Sequence, residues 1–89
     1  MPTAGWYLRA EELLNGLEGV GVLRHAVKEL SEEDDPALRR TVLNYLGTRE
    51  QLALTIQRSS AVAWPASSIA AEDARRCATL RVLLKAGGP

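Results

Sequence analysis

The 89-residue chain has no phenylalanine, one cysteine and one histidine, and aromatic residues make up only 4% of it. Because Cys77 is alone, neither an intrachain disulfide nor a cysteine-based zinc cluster can form. His25 has no second histidine to share a metal with, and no glycine-rich phosphate-binding motif occurs. We therefore expect no cofactor, no metal and no enzymatic activity.

Long apolar runs are also missing. No stretch approaches the ~20 apolar residues that span a bilayer. The first five residues, Met-Pro-Thr-Ala-Gly, contain no basic region followed by an apolar segment, so no signal peptide is indicated. These absences predict a cytoplasmic protein without a membrane partner.

The apolar residues that are present make up 46% of the chain and are mostly leucine, alanine and valine. Alanine and leucine favour helix, and apolar residues recur at helical spacing in five segments, which begin near residues 6, 20, 36, 48 and 67. A single turn before Trp64 gives a sixth. We predict an all-α, compact bundle of five to six short helices. It forms one domain over residues 1–86, with residues 87–89 as the start of a linker.

The start of the third helix is the clearest local signal. Asp35 can cap its first turn, and Pro36 suits the first helical position, where no N–H is needed. Gly47 is placed for a left-handed C-terminal cap, and Thr48 can cap a fourth helix at once. The residues of that helix expected to face inward are Leu52, Ala53 and Ile56. Period-two alternation over residues 51–64 leaves a short β-hairpin as an alternative.

Two short helices joined at Gly47-Thr48 also look like a helix-turn-helix over residues 38–58. Leu43 departs from that pattern, because the position four before the turn glycine usually takes a small residue. DNA binding is therefore the alternative function. The side chains offered to DNA would be Arg49, Gln51, Thr55 and Arg58.

Charge is divided along the chain although the formal net charge is zero. Residues 1–35 hold eight acids and three bases (−5), and residues 36–89 hold eight bases and three acids (+5). Opposite charge blocks can join two copies, acid to base, or they can pair locally and remain solvated. The candidate acidic interaction patch is Glu29, Glu32, Glu33, Asp34 and Asp35. The candidate basic interaction patch is Arg39, Arg40, Arg49 and Arg58.

The length, the short helices with tight connections and the charge layout resemble the death-fold superfamily. This group includes CARD, pyrin and death-effector domains and the death-like, effector-associated domains of bacterial defence proteins. The resemblance implies a six-helix Greek-key bundle, with the turn before Trp64 as its short fifth helix, and assembly through acid-to-base contacts. We therefore expect a non-enzymatic interaction domain, homotypic or adaptor, in a signalling or bacterial defence protein. Its partner would be itself or a similar helical domain.

Overall fold

The computed structural model describes residues 4–59 and 64–87. Within these ranges it has no strand and four helices: α1 (Ala4–Asn15), α2 (Gly21–Glu32), α3 (Pro36–Arg58) and α4 (Ala66–Gly87). The predicted all-α class is confirmed, and the predicted number of five to six helices is wrong. Gly87, placed in the linker from the sequence, is the last residue of α4, and residues 88–89 lie outside the described ranges.

α3 is a single helix where two were predicted. The turn at Gly47 is therefore absent, and with it the helix-turn-helix over residues 38–58. Gly47 does not adopt the left-handed φ of a C-terminal cap. An uninterrupted helix keeps one apolar stripe aligned against the rest of the bundle, which outweighs the ~1 kcal/mol cost of a glycine inside a helix. The buried residues of this stripe are Val42, Leu46 and Ala53.

The predicted start of α3 is confirmed. Oδ1 of Asp35 accepts hydrogen bonds from the backbone N–H groups of Ala37 (3.0 Å) and Leu38 (3.3 Å), and Pro36 is the first helical residue. The β-hairpin alternative does not occur over residues 51–58, which are helical. The turn before Trp64, which the death-fold resemblance made a short fifth helix, falls on residues outside the described ranges. The four described helices do not form the six-helix Greek-key bundle that the resemblance implied.

Each helix packs against the next one along the chain, and α1 also packs against α4. The four helices therefore close a ring around one aliphatic core. Cys77 was predicted on the inner face of the last helix, and it is fully buried there. The largest fully buried side chains of the core are Leu14, Leu46, Leu80 and Val27.

The helices differ in length, and this difference shapes the molecule. α1 and α2 have 12 residues each, whereas α3 has 23 and α4 has 22. At 1.5 Å per residue, the α3–α4 hairpin is roughly 15 Å longer than the helices that pack on it. The long axis of the molecule, 45 Å against 22 Å and 21 Å, reflects this extension. None of the described helices is both long and apolar enough to cross a membrane.

Replacing Gly47 by alanine tests the continuity of α3. A Cβ at Gly47 would lie 3.9 Å from the nearest side-chain atoms, those of Arg81, so there is room for it. We expect Gly47→Ala to raise the free energy of unfolding by about 1 kcal/mol, because alanine is the better helix former. Urea denaturation measures the change. A decrease of similar size in the free energy of unfolding would show that Gly47 ends a helix, as the sequence suggested.

Gly19 provides the matched control. It is the only described residue with a positive φ, +68°, and it lies in the connection between α1 and α2. Alanine is strained in that conformation whatever space surrounds it. Gly19→Ala should therefore lower the free energy of unfolding by about 1 kcal/mol, opposite in sign to Gly47→Ala.

Candidate interaction surface

An ion pair between Arg49 and Asp73 joins the two long helices. Nε of Arg49 donates to Oδ1 of Asp73 at 3.0 Å, and Nη2 donates to Oδ2 at 2.7 Å. The remaining guanidinium nitrogen, Nη1, donates to the backbone carbonyl of Glu18 at 3.0 Å and to the Tyr45 hydroxyl at 3.2 Å. The Arg49 side chain therefore fixes α3 to α4 and to the α1–α2 connection. We call this set of contacts the Arg49 clamp.

Partial burial strengthens the clamp. The Arg49 and Asp73 side chains are only 19% and 23% exposed. Hydrogen bonding to Arg49 holds the pKa of Asp73 below its ordinary value, and hydrogen bonding to Asp73 raises the pKa of Arg49. Cys77 donates from Sγ to Oδ1 of Asp73 at 3.5 Å. Burial, assisted by the Asp73 charge, raises the pKa of Cys77 to about 12, so the thiol stays protonated and unreactive.

A second ion pair lies beside the clamp. Nη1 of Arg81 on α4 donates to Oε1 of Glu50 at 2.5 Å. Arg49 and Glu50 are the only charged residues of α3 between Arg40 and Arg58. Both charges of the middle of α3 are therefore neutralised by partners on α4.

The exposed side of α3 is consequently free of charge. Every exposed residue of α3 between Arg40 and Arg58 is polar without charge or apolar, in a chain that is 25% charged. We call this surface the neutral face of α3. Its residues are Thr41, Asn44, Tyr45, Thr48, Gln51, Leu52, Thr55 and Ile56.

An apolar groove flanks the neutral face where the hairpin extends past α1 and α2. This groove, about 470 Å³ in volume, lies between the end of α3 and the start of α4, and the Arg49 clamp closes one end of it. We call it the tip groove. Its apolar lining is Leu52, Ala53, Ile56, Ala66, Ile69 and Ala70.

A second apolar groove, about 250 Å³ in volume, lies between α2 and α3. Val22 and Ala26 line it from α2, and Leu38 and Val42 line it from α3. Tyr45 lines both this α2–α3 groove and the tip groove. The two grooves are therefore neighbours along α3, and Tyr45 lies between them.

Large apolar side chains stand exposed along these grooves. Leu52 is 61% exposed and Ile69 is 67% exposed, and Val22, Tyr45 and Ile56 are exposed as well. The sequence predicted that Leu52 and Ile56 face inward; that prediction is wrong for both and right for Ala53, which is buried. Contiguous exposed apolar surface of this kind commonly marks an interaction site.

Four of the five residues of the predicted acidic patch lie together. Glu29, Glu32, Glu33 and Asp35 line a depression beside Leu38, at the corner between α2 and α3. We call this set the acidic corner. It adjoins the α2–α3 groove, because Leu38 lines both.

Several of these acids have local partners. Oε1 of Glu29 lies 2.9 Å from Nε2 of the exposed His25, and Asp35 caps α3. Asp34, the fifth member of the predicted patch, forms an ion pair with Arg39 instead. No group of three or more potential metal ligands occurs among the described residues.

The four residues of the predicted basic patch do not share a surface. Arg39 is paired with Asp34, and Arg49 is held in the clamp. Arg40 and Arg58 are exposed, but they are 18 positions apart along α3, which is about 27 Å. Local pairing, the alternative considered from the sequence, therefore accounts for two of the four bases. The same clamp removes Arg49 from the set of side chains offered to DNA.

No protein-family model, curated protein or solved structure matches the chain. A proposal about function therefore starts from three surface features of the described residues: the neutral face of α3, its two grooves and the acidic corner. Sequence reasoning did not identify this face, although the signal was present: between Arg40 and Arg58 the only charges are Arg49 and Glu50.

Replacing Asp73 by asparagine tests the Arg49 clamp. The change leaves a half-buried guanidinium without its carboxylate, so we expect the free energy of unfolding at neutral pH to fall by about 2 kcal/mol. Glu12→Gln is the control, because Glu12 pairs with Arg9 in a largely exposed pair, and such pairs contribute little. Equal decreases in the free energy of unfolding for the two variants would contradict a stabilising role of the Arg49 clamp.

The same pair predicts a pH dependence. The pKa of Asp73 is lower in the folded protein than its ordinary value of 3.8. Its stabilising contribution is therefore complete above that ordinary value and is lost as the pH falls through the lowered, folded value. The stability difference between the wild type and Asp73→Asn should shrink below pH ~4. A difference that stays constant down to pH ~2 would contradict this assignment.

Proposed function

We propose that this chain is a non-enzymatic protein–protein interaction domain that binds its partner across the neutral face of α3. One observation carries the proposal: every exposed residue on α3 between Arg40 and Arg58 is uncharged, and this face includes exposed Leu52 and Ile56, with exposed Ile69 of α4 across the tip groove from them. A charged rim with a neutral, apolar centre is the usual anatomy of a protein-binding surface.

The part of the α3–α4 hairpin that α1 and α2 cover shows how a partner could cover the exposed part. Where α1 and α2 pack, the hairpin buries Val42, Leu46 and Leu80. Beyond the clamp the hairpin continues without α1 and α2, and leaves Leu52 and Ile69 exposed. A helical segment of a partner would pack on this exposed stretch in the way that α1 and α2 pack on the rest of the hairpin. This mode of binding is helix-in-groove recognition. Each large aliphatic side chain fully buried contributes ~1.5–3 kcal/mol.

The proposed mode of binding differs from the one expected from the sequence. Assembly through an acidic and a basic patch requires four clustered bases, and Arg39 and Arg49 are neutralised within the domain. DNA binding likewise requires bases aimed at phosphates, and the helix-turn-helix is absent. The death-like classification, the cytoplasmic location and the place in a signalling or defence protein stay predictions from the sequence.

Site-specific photo-cross-linking in the expressing cell tests the proposal. A benzophenone amino acid at Leu52 should give one discrete cross-linked product, whose mass and peptides identify the partner. The control is the same probe at Leu8 of α1, which is 62% exposed against 61% for Leu52 but lies away from the grooves. We expect at least a tenfold lower yield of any product from Leu8, because the two positions differ in location and not in exposure.

A second pair of variants shows whether the product depends on the groove. Ile69 and Val82 are both on α4 and are 67% and 66% exposed. Ile69→Lys should abolish the Leu52 product, because a lysine ammonium would have to be desolvated in the tip groove, whereas Val82→Lys should preserve it. Equal cross-linking from Leu8 and Leu52, or equal effects of the two lysine variants, would overturn the proposed function.

A further inference from the structure

We propose that the α2–α3 groove binds a basic amphipathic helix of a partner protein. The apolar residues of that helix lie in the groove, and its lysine or arginine residues lie at the acidic corner. This proposal rests on the proposed function, because the groove flanks the neutral face of α3 at Thr41 and Tyr45, and it names the chemistry of the segment that binds there.

The groove and the acidic corner form one surface along α2. A single stripe of this helix, with residues spaced by four, three and four positions, runs past both. The first two residues of the stripe line the groove, and the last two line the acidic corner. An apolar half is therefore followed by an acidic half. In chain order the stripe consists of Val22, Ala26, Glu29 and Glu33.

The other wall of the groove, on α3, has the same order. Only three residues join α2 to α3, and helices joined so closely run antiparallel. Leu38, near the start of α3, lines both the groove and the acidic corner, and Tyr45, two turns later, lines the groove alone of these two. Both walls are therefore apolar at one end, and the acids lie at the other.

The exposed bases of α3 do not reach this surface. Arg40 follows Leu38 by two positions, which is about 200° around the helix. Arg58 follows Arg40 by 18 positions, so it lies on the same far side. Among the described residues that line the groove and the corner, four are acids and none is a base.

Two of the four acids are available to a partner. Glu32 and Glu33 are exposed and form no ion pair within the described ranges, whereas Glu29 and Asp35 have the local contacts given above. A basic segment would be attracted to the two available carboxylates, and an acidic segment or a nucleic acid would be repelled. The charge at this end of the groove therefore selects a basic partner.

The apolar end supplies the anchor. Val22 is 88% exposed, the largest exposed fraction among the large apolar side chains of the described residues. The stripe from Val22 to Glu33 is about 16 Å long, which is three turns of helix. A partner helix of about 11 residues would cover it. Its apolar residues would recur at helical spacing in one half, as in other helix-in-groove complexes, and its bases would lie in the other half.

Selection from a library of random peptides tests this chemistry without assuming a sequence. Peptides of about 12 residues, long enough for three turns, are displayed on phage and selected on the purified chain. We expect the enriched peptides to carry apolar residues three or four positions apart in one half and lysine or arginine in the other. Enrichment of peptides that lack this pattern, or no enrichment over a surface without the chain, would overturn the proposal.

Fluorescence anisotropy of one labelled, selected peptide at ~150 mM salt, where remote charges are screened, tests the acidic corner. Glu33→Lys should weaken binding roughly tenfold, because a like charge replaces an opposite one. Glu12→Lys is the control, since Glu12 is an exposed acid on α1 and lines neither the groove nor the corner. Replacing the bases of the peptide by glutamine should remove the difference between the wild type and Glu33→Lys.

A pair of valine variants tests the apolar end with the same peptide. Val22→Asn should weaken binding at least fivefold, because an amide would be desolvated in the groove. Val82→Asn, on α4 and away from the groove, should leave binding unchanged; the two valines are 88% and 66% exposed. Circular dichroism checks that all variants stay helical, which is expected because every changed position is exposed.

The outcomes separate this proposal from the proposed function. Equal binding by Glu33→Lys and Glu12→Lys, or by Val22→Asn and Val82→Asn, would overturn the basic helix in the α2–α3 groove. A discrete cross-linked product from Leu52 and not from Leu8 would then leave the interaction function standing. The cross-linking comparison itself does not depend on the peptide, so it reports a failure of the proposed function independently.

Discussion

The contact between Arg49 and Asp73 is the one on which the other features depend. It lies where the α1–α2 connection crosses the long hairpin, and Arg49 also binds the carbonyl of Glu18 in that connection. On one side of it the hairpin is covered by α1 and α2; on the other side the tip groove begins. The pair also neutralises one of the two charges in the middle of α3, and Arg81 neutralises the other, Glu50. The clamp therefore marks where the tip groove starts, and it removes one of the two charges from the middle of α3.

Sequence reasoning succeeded where the relevant contacts are local. The start of α3 at Asp35-Pro36 depends on hydrogen bonds two and three residues away, and apolar spacing alone placed Cys77 inward. It failed where contacts between residues far apart in the sequence determine the structure. Gly47 has the local character of a helix end, but packing along the whole of α3 keeps it helical. Arg49 was assigned to a basic patch because its partner lies 24 residues further along the chain, a separation that no periodicity reveals.

The proposed function differs in kind from assembly between opposite charge blocks. Two of the four basic charges expected to bind a partner, those of Arg39 and Arg49, are used inside the domain. Recognition would instead depend on apolar burial along the neutral face, which supplies affinity without strong salt dependence. The remaining charges lie at the two ends of that face, with Arg40 and the acidic corner at one end and Arg58 at the other. They would fix orientation, because exposed pairs contribute more to specificity than to affinity.

The distance between two spin labels within one chain tests the central claim most directly, namely that α3 continues through Gly47 as one helix and carries the neutral face along it. Cysteines introduced at Thr41 and Thr55, both exposed on that face, can be labelled while Cys77 is buried. Fourteen residues of continuous helix place these two positions roughly 21 Å apart, and we expect a single distance near that value. A clearly shorter distance, as a turn at Gly47 would give, would contradict the account.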